Sequence, residues 1–306
     1  GETPQLWQVL NGLRVFHVSR GELQIASDLA EQIMRLAQSE QDPALLMVGY
    51  VVLGEGSYRI GEWAPARGHF ERAIALYDPQ WRRPSFAWVD GKVPSLSYVA
   101  FGLWMLGYPD QALKRSQEAL TRARELSHPF SLAFALQWAG VLHMNRREVQ
   151  ATQDRAEALI ALSTEQGFPN WQVFGMIWQG WTLVERGQGQ EGIAQIRQGL
   201  TAYRAIAGVV WLPYFLSLLA EAHGEIGQTE EGLNVLAEAL ATAHKTGERW
   251  YEAELHRLKG QLTLQKLSVT DPRPLTHDPQ GEAEVCFLKA IEIARKQQAK
   301  SLELRA

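Results

Sequence analysis

Small and large hydrophobic residues recur along this chain with a period of about forty residues. One series of mostly small residues advances in steps of 40, with a single step of 46. Its members are Arg14, Gly54, Ala100, Gly140, Gly180, Ala220 and Gly260. Around each member the apolar positions are spaced three and four apart, which is the periodicity of a helix. A small side chain in mid-helix lets a second helix approach closely. The pattern therefore predicts helices that pack in pairs.

A second series of mostly small residues begins twelve positions after the first. Its members are Ala26, Ala66, Ala112, Thr152, Gly192, Gly232 and Ala283. A usually larger residue follows four positions later and a usually small one three further on, as in Gly192, Ile196 and Gly199. This order of small, large and small positions is typical of tetratricopeptide repeats, whose usual period is about 34 residues. We predict an all-α, tetratricopeptide-like, right-handed superhelical solenoid of about seven helix pairs, lengthened by extra turns of helix.

The predicted helix pairs divide almost the whole chain. They cover 4–38, 43–78, 93–127, 129–166, 169–207, 209–246 and 249–298. Insertions at 79–92 and 269–280 account for the irregular steps, so residues 1–306 form a single predicted domain. We expect the aromatic first insertion to pack and the proline-rich second one to be mobile. The chain stops shortly after the seventh pair without the polar cap that a solenoid needs, so we expect a fragment of a longer protein.

Several short segments resemble one bacterial family. They are LYDP at 76–79, LGYPDQAL at 106–113, ELSHPFS at 125–131, AQIRQG at 194–199 and QQAKSLELR at 297–305. The family is the tetratricopeptide region of large predicted ATPases, many of which carry a class III adenylate/guanylate cyclase domain. The resemblance spans nearly the whole chain and implies a C-terminal sensor or regulatory arm. It does not imply ATPase or cyclase chemistry on these residues.

Composition and charge narrow the range of partners that the chain is expected to bind. Hydrophobic residues make up 46% and charged residues 21%, and the net charge is -4. Nucleic-acid binding usually requires a concentrated basic face, which this distribution does not indicate. No apolar run approaches the roughly 20 residues that cross a bilayer, so we predict no membrane partner. The single cysteine, Cys286, cannot form an internal disulfide, which indicates a cytoplasmic setting.

No motif in the chain predicts catalysis. The glycines Gly187, Gly189 and Gly192 match a dinucleotide pattern, but they lie in a predicted helix–helix turn instead of following a strand. His17 and His143 occupy one repeat position in separate pairs, as does His223, so we expect them to be too far apart to share a metal ion. No order of residues suggests a nucleophilic triad. We therefore predict a non-catalytic chain with no catalytic residue, metal site or cofactor.

A stripe of aromatic residues is the candidate binding surface. In the first helix of pair five, Trp171, Phe174, Trp178 and Trp181 are spaced 3, 4 and 3 apart, so they share one face. Equivalent positions of neighbouring first helices hold Tyr98, Phe101, Phe134, Trp138, Trp211 and Tyr214. Glu185 and Glu221 stand further along the same faces. Either the stripe packs between adjacent helices, or it floors a concave groove with an acidic edge.

Two functional hypotheses follow. The first is a protein–protein or interdomain interaction scaffold, acting as the sensor or regulatory arm of a signalling ATPase or cyclase. Its partner would be a protein, a peptide or another domain of the same polypeptide. The alternative is a small-molecule sensor that binds an inducer in the concave groove. A closed, polar-lined cavity would favour the small molecule, and an open, shallow groove would favour the partner.

Overall fold

The computed structural model describes residues 3–79, 90–206, 208–269 and 279–306. Most of each predicted insertion, at 80–89 and 270–278, lies outside these residues, and so do the expectations for their packing and mobility. Within the described residues the chain contains helices and turns but no strand. The predicted all-α class is confirmed.

Fourteen long helices in the described residues form seven consecutive pairs, followed by a short fifteenth helix. The helices are α1 (Thr3–Ser19), α2 (Leu23–Glu40), α3 (Pro43–Arg59), α4 (Trp63–Leu76), α5 (Lys92–Met105), α6 (Pro109–Glu125), α7 (Pro129–Asn145), α8 (Val149–Gln166), α9 (Pro169–Glu185), α10 (Gly189–Ala205), α11 (Leu212–Glu225), α12 (Thr229–Thr246), α13 (Glu252–Val269), α14 (Pro279–Lys296) and α15 (Lys300–Glu303). Odd-numbered helices are the first members of their pairs. From α5 to α13, each first helix also contacts the next first helix, as expected of a solenoid.

The turn inside a helix pair requires a residue with positive φ. In five pairs this residue is a glycine, with φ between 74° and 90°. These glycines are Gly21, Gly61, Gly107, Gly187 and Gly227. Glycine lacks a Cβ and adopts the left-handed conformation that ends a helix without steric cost. In pair four the position is held by Arg147, with φ of 60°.

The predicted contact between small and large residues joins the two helices of a pair. The ring of Phe70 lies against Gly54, that of Phe287 lies against Gly260, and the side chain of Ile196 lies against Gly180. A Cβ placed on Gly180 would come within 2.7 Å of Ile196 Cγ1 and 2.8 Å of the Gly192 carbonyl oxygen. The glycine therefore sets how closely α9 and α10 approach.

The array curls until its later pairs meet its earlier ones. In pair one, Gly21 lies against Thr246, at the end of pair six. In pair two, the carbonyl oxygen of Arg59 accepts hydrogen bonds from the backbone N–H groups of Arg249 and Trp250. In pair three, the Ser301 hydroxyl donates to the Trp104 carbonyl oxygen as α15 packs on α5. Each pair thus meets the chain five pairs later, and we call this line of contact the seam.

Gly180→Leu tests the close approach of α9 and α10. The added side chain overpacks the contact with Ile196, and we expect the free energy of unfolding to fall by about 1–3 kcal/mol. Thermal or denaturant unfolding measures the change.

Gly68→Leu is the matched control. Gly68 is an exposed glycine within α4, and a Cβ there would meet no atom within 4 Å. This variant should be unchanged or more stable by roughly 0.5–1 kcal/mol, because glycine is a poor helix former. Equal losses in the two variants would contradict the assigned contact.

Candidate interaction site

The first helices direct a cluster of aromatic rings to the inside of the curled array. The ring of Tyr58, in α3, lies 5.3 Å from that of Trp138 and 5.5 Å from that of Trp250, centroid to centroid. The rings of Trp211 and Trp250 are 5.2 Å apart. We define the central aromatic cluster as Tyr58, Tyr98, Phe101, Trp138, Trp211, Tyr214 and Trp250. Offset and edge-to-face contacts at these distances stabilise aromatic packing. The concave side of the solenoid is therefore a packed core.

Nine of the ten aromatic residues predicted to line a groove are buried. They are Tyr98, Phe101, Trp138, Trp171, Phe174, Trp178, Trp181, Trp211 and Tyr214, while Phe134 is partly exposed. Trp178 and Trp181, at the centre of the stripe, are 0% and 1% exposed. The structure supports the packing alternative for these side chains, and they do not form an open aromatic floor in this conformation. A binding role for them stays a prediction.

Sequence reasoning missed two members of the central aromatic cluster, Tyr58 and Trp250, and the neighbouring Tyr251. Tyr58 belongs to α3, and Trp250 and Tyr251 come just before α13. Tyr251 lies nine residues before Gly260, as Trp171 lies nine before Gly180. Extending the stripe by one more repeat would have found Tyr251 and its neighbour. Nothing in the sequence aligned Tyr58 with Trp211 and Trp250, because it meets those two rings through closure of the array.

The seam contains a buried carboxylate. Glu248 is 3% exposed, and its oxygens accept hydrogen bonds from Trp250 Nε1 at 3.1 Å and from the Trp211 backbone N–H at 3.2 Å. Arg59 Nη1 lies 3.5 Å from the same carboxylate. Burial raises the pKa of Glu248, and the charge of Arg59 and the two hydrogen bonds partly oppose this rise. We call Arg59, Glu248, Arg249 and Trp250 the seam clasp.

A second polar network lies next to the clasp. Arg14 Nη1 pairs with Glu55 at 2.7 Å, and the Tyr98 hydroxyl donates to the same carboxylate at 3.1 Å. Arg14 Nε donates to Asn11 at 3.0 Å. Burial and the nearby Glu55 charge raise the pKa of Tyr98 well above its usual value. Arg14, the one charged member of the small-residue series, therefore serves as a buried hydrogen-bond donor.

The structure brings the two predicted acidic residues together around an arginine. Arg147 forms hydrogen bonds with Glu185 at 3.5 Å and with both oxygens of Glu221, and its guanidinium lies over the Trp181 ring. Burial raises the pKa of Glu185, as do the neighbouring charges of Glu221 and Glu225, although Arg147 opposes them. Arg147 partly neutralises these two carboxylates, and an acidic edge for a binding groove stays a prediction.

Glu254 belongs to a separate, buried ion-pair network. It is 1% exposed and pairs with Arg257 and Arg305, each at 2.9 Å. Burial alone would raise the pKa of Glu254, but the charges of the two arginines outweigh burial and lower it. This carboxylate is therefore a structural partner of two arginines.

The repeat histidines stabilise turns. The Nδ1 atoms of His17, His143 and His223 lie 2.5 Å, 2.6 Å and 2.7 Å from a side-chain oxygen five residues later in the chain. These partners are Glu22, Glu148 and Gln228. Among the described residues, no group of three histidine, cysteine or acidic side chains is placed to hold a metal ion. None of the described helices has both the length and the apolar character that a membrane span requires.

Comparison with known proteins identifies the fold of the chain. No family model matches it. An uncharacterized protein of Rhizobium meliloti (strain 1021) is 23% identical over 292 residues, which are 93% of this chain and 27% of that protein. The chain thus spans about a quarter of the length of this relative.

Solved structures with the same architecture are helical repeat proteins. A Rap protein complexed with Competence and Sporulation Factor matches with a TM-score of 0.64 and 14% identity, over 95% of this chain and 76% of that one. A tetratricopeptide repeat protein from Parabacteroides merdae matches with a TM-score of 0.51 and 15% identity, over 100% and 99%. Aspartyl phosphate phosphatase F from Bacillus subtilis matches with a TM-score of 0.52 and 11% identity, over 90% and 65%. These likenesses establish a tetratricopeptide-type helical solenoid.

Proposed function

We propose that this chain is a non-catalytic interaction scaffold that acts as the regulatory arm of a larger signalling ATPase, which in some proteins also carries a nucleotide cyclase. The observation that supports this proposal is the closure of the array at the seam. A partner that binds the open array better than the closed one would shift the balance between them by its difference in affinity.

The seam is suited to opening without unfolding. The helices within each pair are held by extensive small-to-large packing, as at Gly180 and Ile196. Polar contacts across the seam are few, including a 3.5 Å contact between Arg59 and Glu248, and they stand beside ring contacts such as that of Tyr58 with Trp250. Interfaces of this kind are able to switch between two arrangements while the elements on each side stay intact.

Opening would uncover the surface that the sequence pattern indicates for binding. Tyr58 on one side of the seam packs against Trp211 and Trp250 on the other. Separating them would expose aromatic faces on several first helices, and aromatic side chains are favoured at protein interfaces. A peptide, a protein or another domain of the polypeptide would then bind the opened inner face.

The comparisons support a binding role of this kind. The Rap protein of the same fold is complexed with Competence and Sporulation Factor, so an array with this architecture is able to hold a partner. The Rhizobium meliloti relative is much longer than this chain. A repeat array within a long polypeptide is placed to act on domains elsewhere in it, and the resemblance to ATPase-linked repeats suggests which domains those are.

A second candidate function is a small-molecule sensor. The inner face is filled by the central aromatic cluster, so the inducer would not bind in an open concave groove. A partly enclosed cavity at the seam, lined by Arg14 and Arg59, is the specific observation that favours this alternative.

Glu248→Gln tests whether the clasp holds the seam closed. The variant leaves the buried guanidinium of Arg59 without its counter-ion, and we expect a loss of roughly 1–3 kcal/mol at the seam. Hydrogen exchange of the Arg249 and Trp250 backbone amides measures this loss, since both amides donate to the Arg59 carbonyl. Exchange should be at least about five times faster than in the wild type.

Glu238→Gln is the matched control for the clasp variant. Glu238 pairs with Arg204 on the surface, and both side chains are about half exposed. Removing the Glu238 charge should leave the exchange rates of the Arg249 and Trp250 amides unchanged, because exposed ion pairs contribute only about 0–1 kcal/mol to stability. Equal exchange rates in the two variants would show that the clasp does not hold the seam.

The regulatory role is tested in the full natural polypeptide. Nucleotide hydrolysis and cyclase activity are compared for the wild type, Glu248→Gln and Glu238→Gln. If the arm is regulatory, opening the seam should change at least one activity severalfold, and the surface variant should not. An open seam by hydrogen exchange combined with unchanged activities would contradict the proposal.

A further inference from the structure

A cavity of about 280 Å³ lies where pair one and pair two meet the end of pair six. Its walls come from α1, α2 and α3, and from Thr246 and Gly247 at the end of α12. It is lined by Arg14 and Arg59, together with Val18, Leu23 and Val52. The site therefore combines cationic donors with an apolar wall.

Both arginines are deeply buried and keep unused donors. Arg14 is 4% exposed and Arg59 is 9% exposed. Arg14 donates through Nε and Nη1, while Arg59 has only the long contact to Glu248 through Nη1. Arg59 Nε is buried and has no hydrogen-bond partner among the described residues. The Nη2 atoms of both side chains also donate to no described residue, although they are not fully buried. A buried donor without an acceptor is costly, so an acceptor placed here would be stabilising.

The acidic neighbours do not supply the missing acceptors. Glu55 divides its oxygens between Arg14 and the Tyr98 hydroxyl. Glu248 accepts from the Trp211 backbone and from Trp250, in addition to the contact with Arg59. Donors thus outnumber the carboxylate positions that face them.

We propose that this cavity binds a small organic acid. Its carboxylate would accept hydrogen bonds from Arg14 and Arg59, because the planar fork of a guanidinium matches the geometry of a carboxylate. Its short aliphatic body would pack on Val18, Leu23 and Val52. The volume lies at the lower limit of ligand pockets, which is about 300 Å³, so the acid has only a few carbon atoms.

Binding at this place has a mechanical consequence. The ligand would contact α1 to α3 on one side of the seam and the turn at Thr246 and Gly247 on the other. A molecule that bridges the two sides binds the closed array better than the open one and stabilises closure. This inference gives the small-molecule alternative a ligand class and is independent of the regulatory role, since the acid would bind whatever the array controls.

The binding experiment titrates the purified protein with acetate, butyrate, hexanoate, succinate and glutarate, using inorganic phosphate as the competing oxyanion. Thermal unfolding and calorimetry are the readouts. At least one carboxylate should bind saturably and raise the Tm by several degrees at roughly 100 times its Kd. The absence of a saturable response to every carboxylate would overturn the proposal, and so would a stronger response to phosphate.

Gly56→Leu blocks the cavity without removing a charge. Gly56 lines the cavity, and a Cβ on it would meet no atom within 4 Å, so the fold should accept the change. Gly12→Leu is the matched control, because Gly12 is an exposed glycine in α1 that is equally free of neighbours. Gly56→Leu should abolish the response to the acid, and Gly12→Leu should preserve it.

Equal responses in the two leucine variants would overturn the assigned site. Arg14→Lys should weaken binding about tenfold or more, because lysine keeps the charge but loses the fork. These readouts are ligand binding and Tm. They are independent of the nucleotide hydrolysis that tests the regulatory role, so each proposal is able to fail without the other.

Discussion

A buried carboxylate lies where the later part of this curled solenoid meets its earlier part. Glu248 is 3% exposed, and a buried charge is tolerated only where donors surround it. Its donors are the Trp211 backbone, the Trp250 indole and the more distant Arg59 guanidinium, which belong to pairs six, seven and two. Closure of the array therefore brings one of these donors, Arg59, to the carboxylate from the other side of the seam. Removing one donor leaves the carboxylate under-satisfied, and opening the array exposes it to water.

Closure of the array also determines whether the concave side is a groove open to solvent or a packed core. A solenoid with a wider turn would present its first helices to solvent as a groove. In this chain the turn is completed within five pairs, and the space is filled by Tyr58, Trp138, Trp211 and their neighbours. The aromatic residues that suggest a binding surface are thus the ones that stabilise the closed form. Binding on that face and opening of the seam are therefore linked processes.

The turns inside the helix pairs differ in what covers them. The turns at Gly21, Gly61 and Gly107 are contacted by residues from later parts of the chain. Around Gly187 and Gly227, a Cβ would meet no atom within 4 Å. The cavity with unused arginine donors lies beside the covered turns of the first two pairs, where two parts of the chain meet. The carboxylates around Arg147 lie beyond it, outside the seam clasp.

The sequence by itself determined the helix pairs, their approximate bounds and the small-to-large contacts such as that of Gly54 with Phe70. These features repeat every forty residues and depend on neighbours close in the chain, so a periodic pattern records them. Only the tertiary structure decided that the array closes, that Trp178 and Trp181 are buried, and that Arg59 meets Glu248 across 189 residues. The reason is geometric: the curvature of a solenoid is the sum of small rotations between successive pairs. No single repeat contains that sum. The sequence pattern is therefore the same whether the array forms an open groove or closes into a packed core.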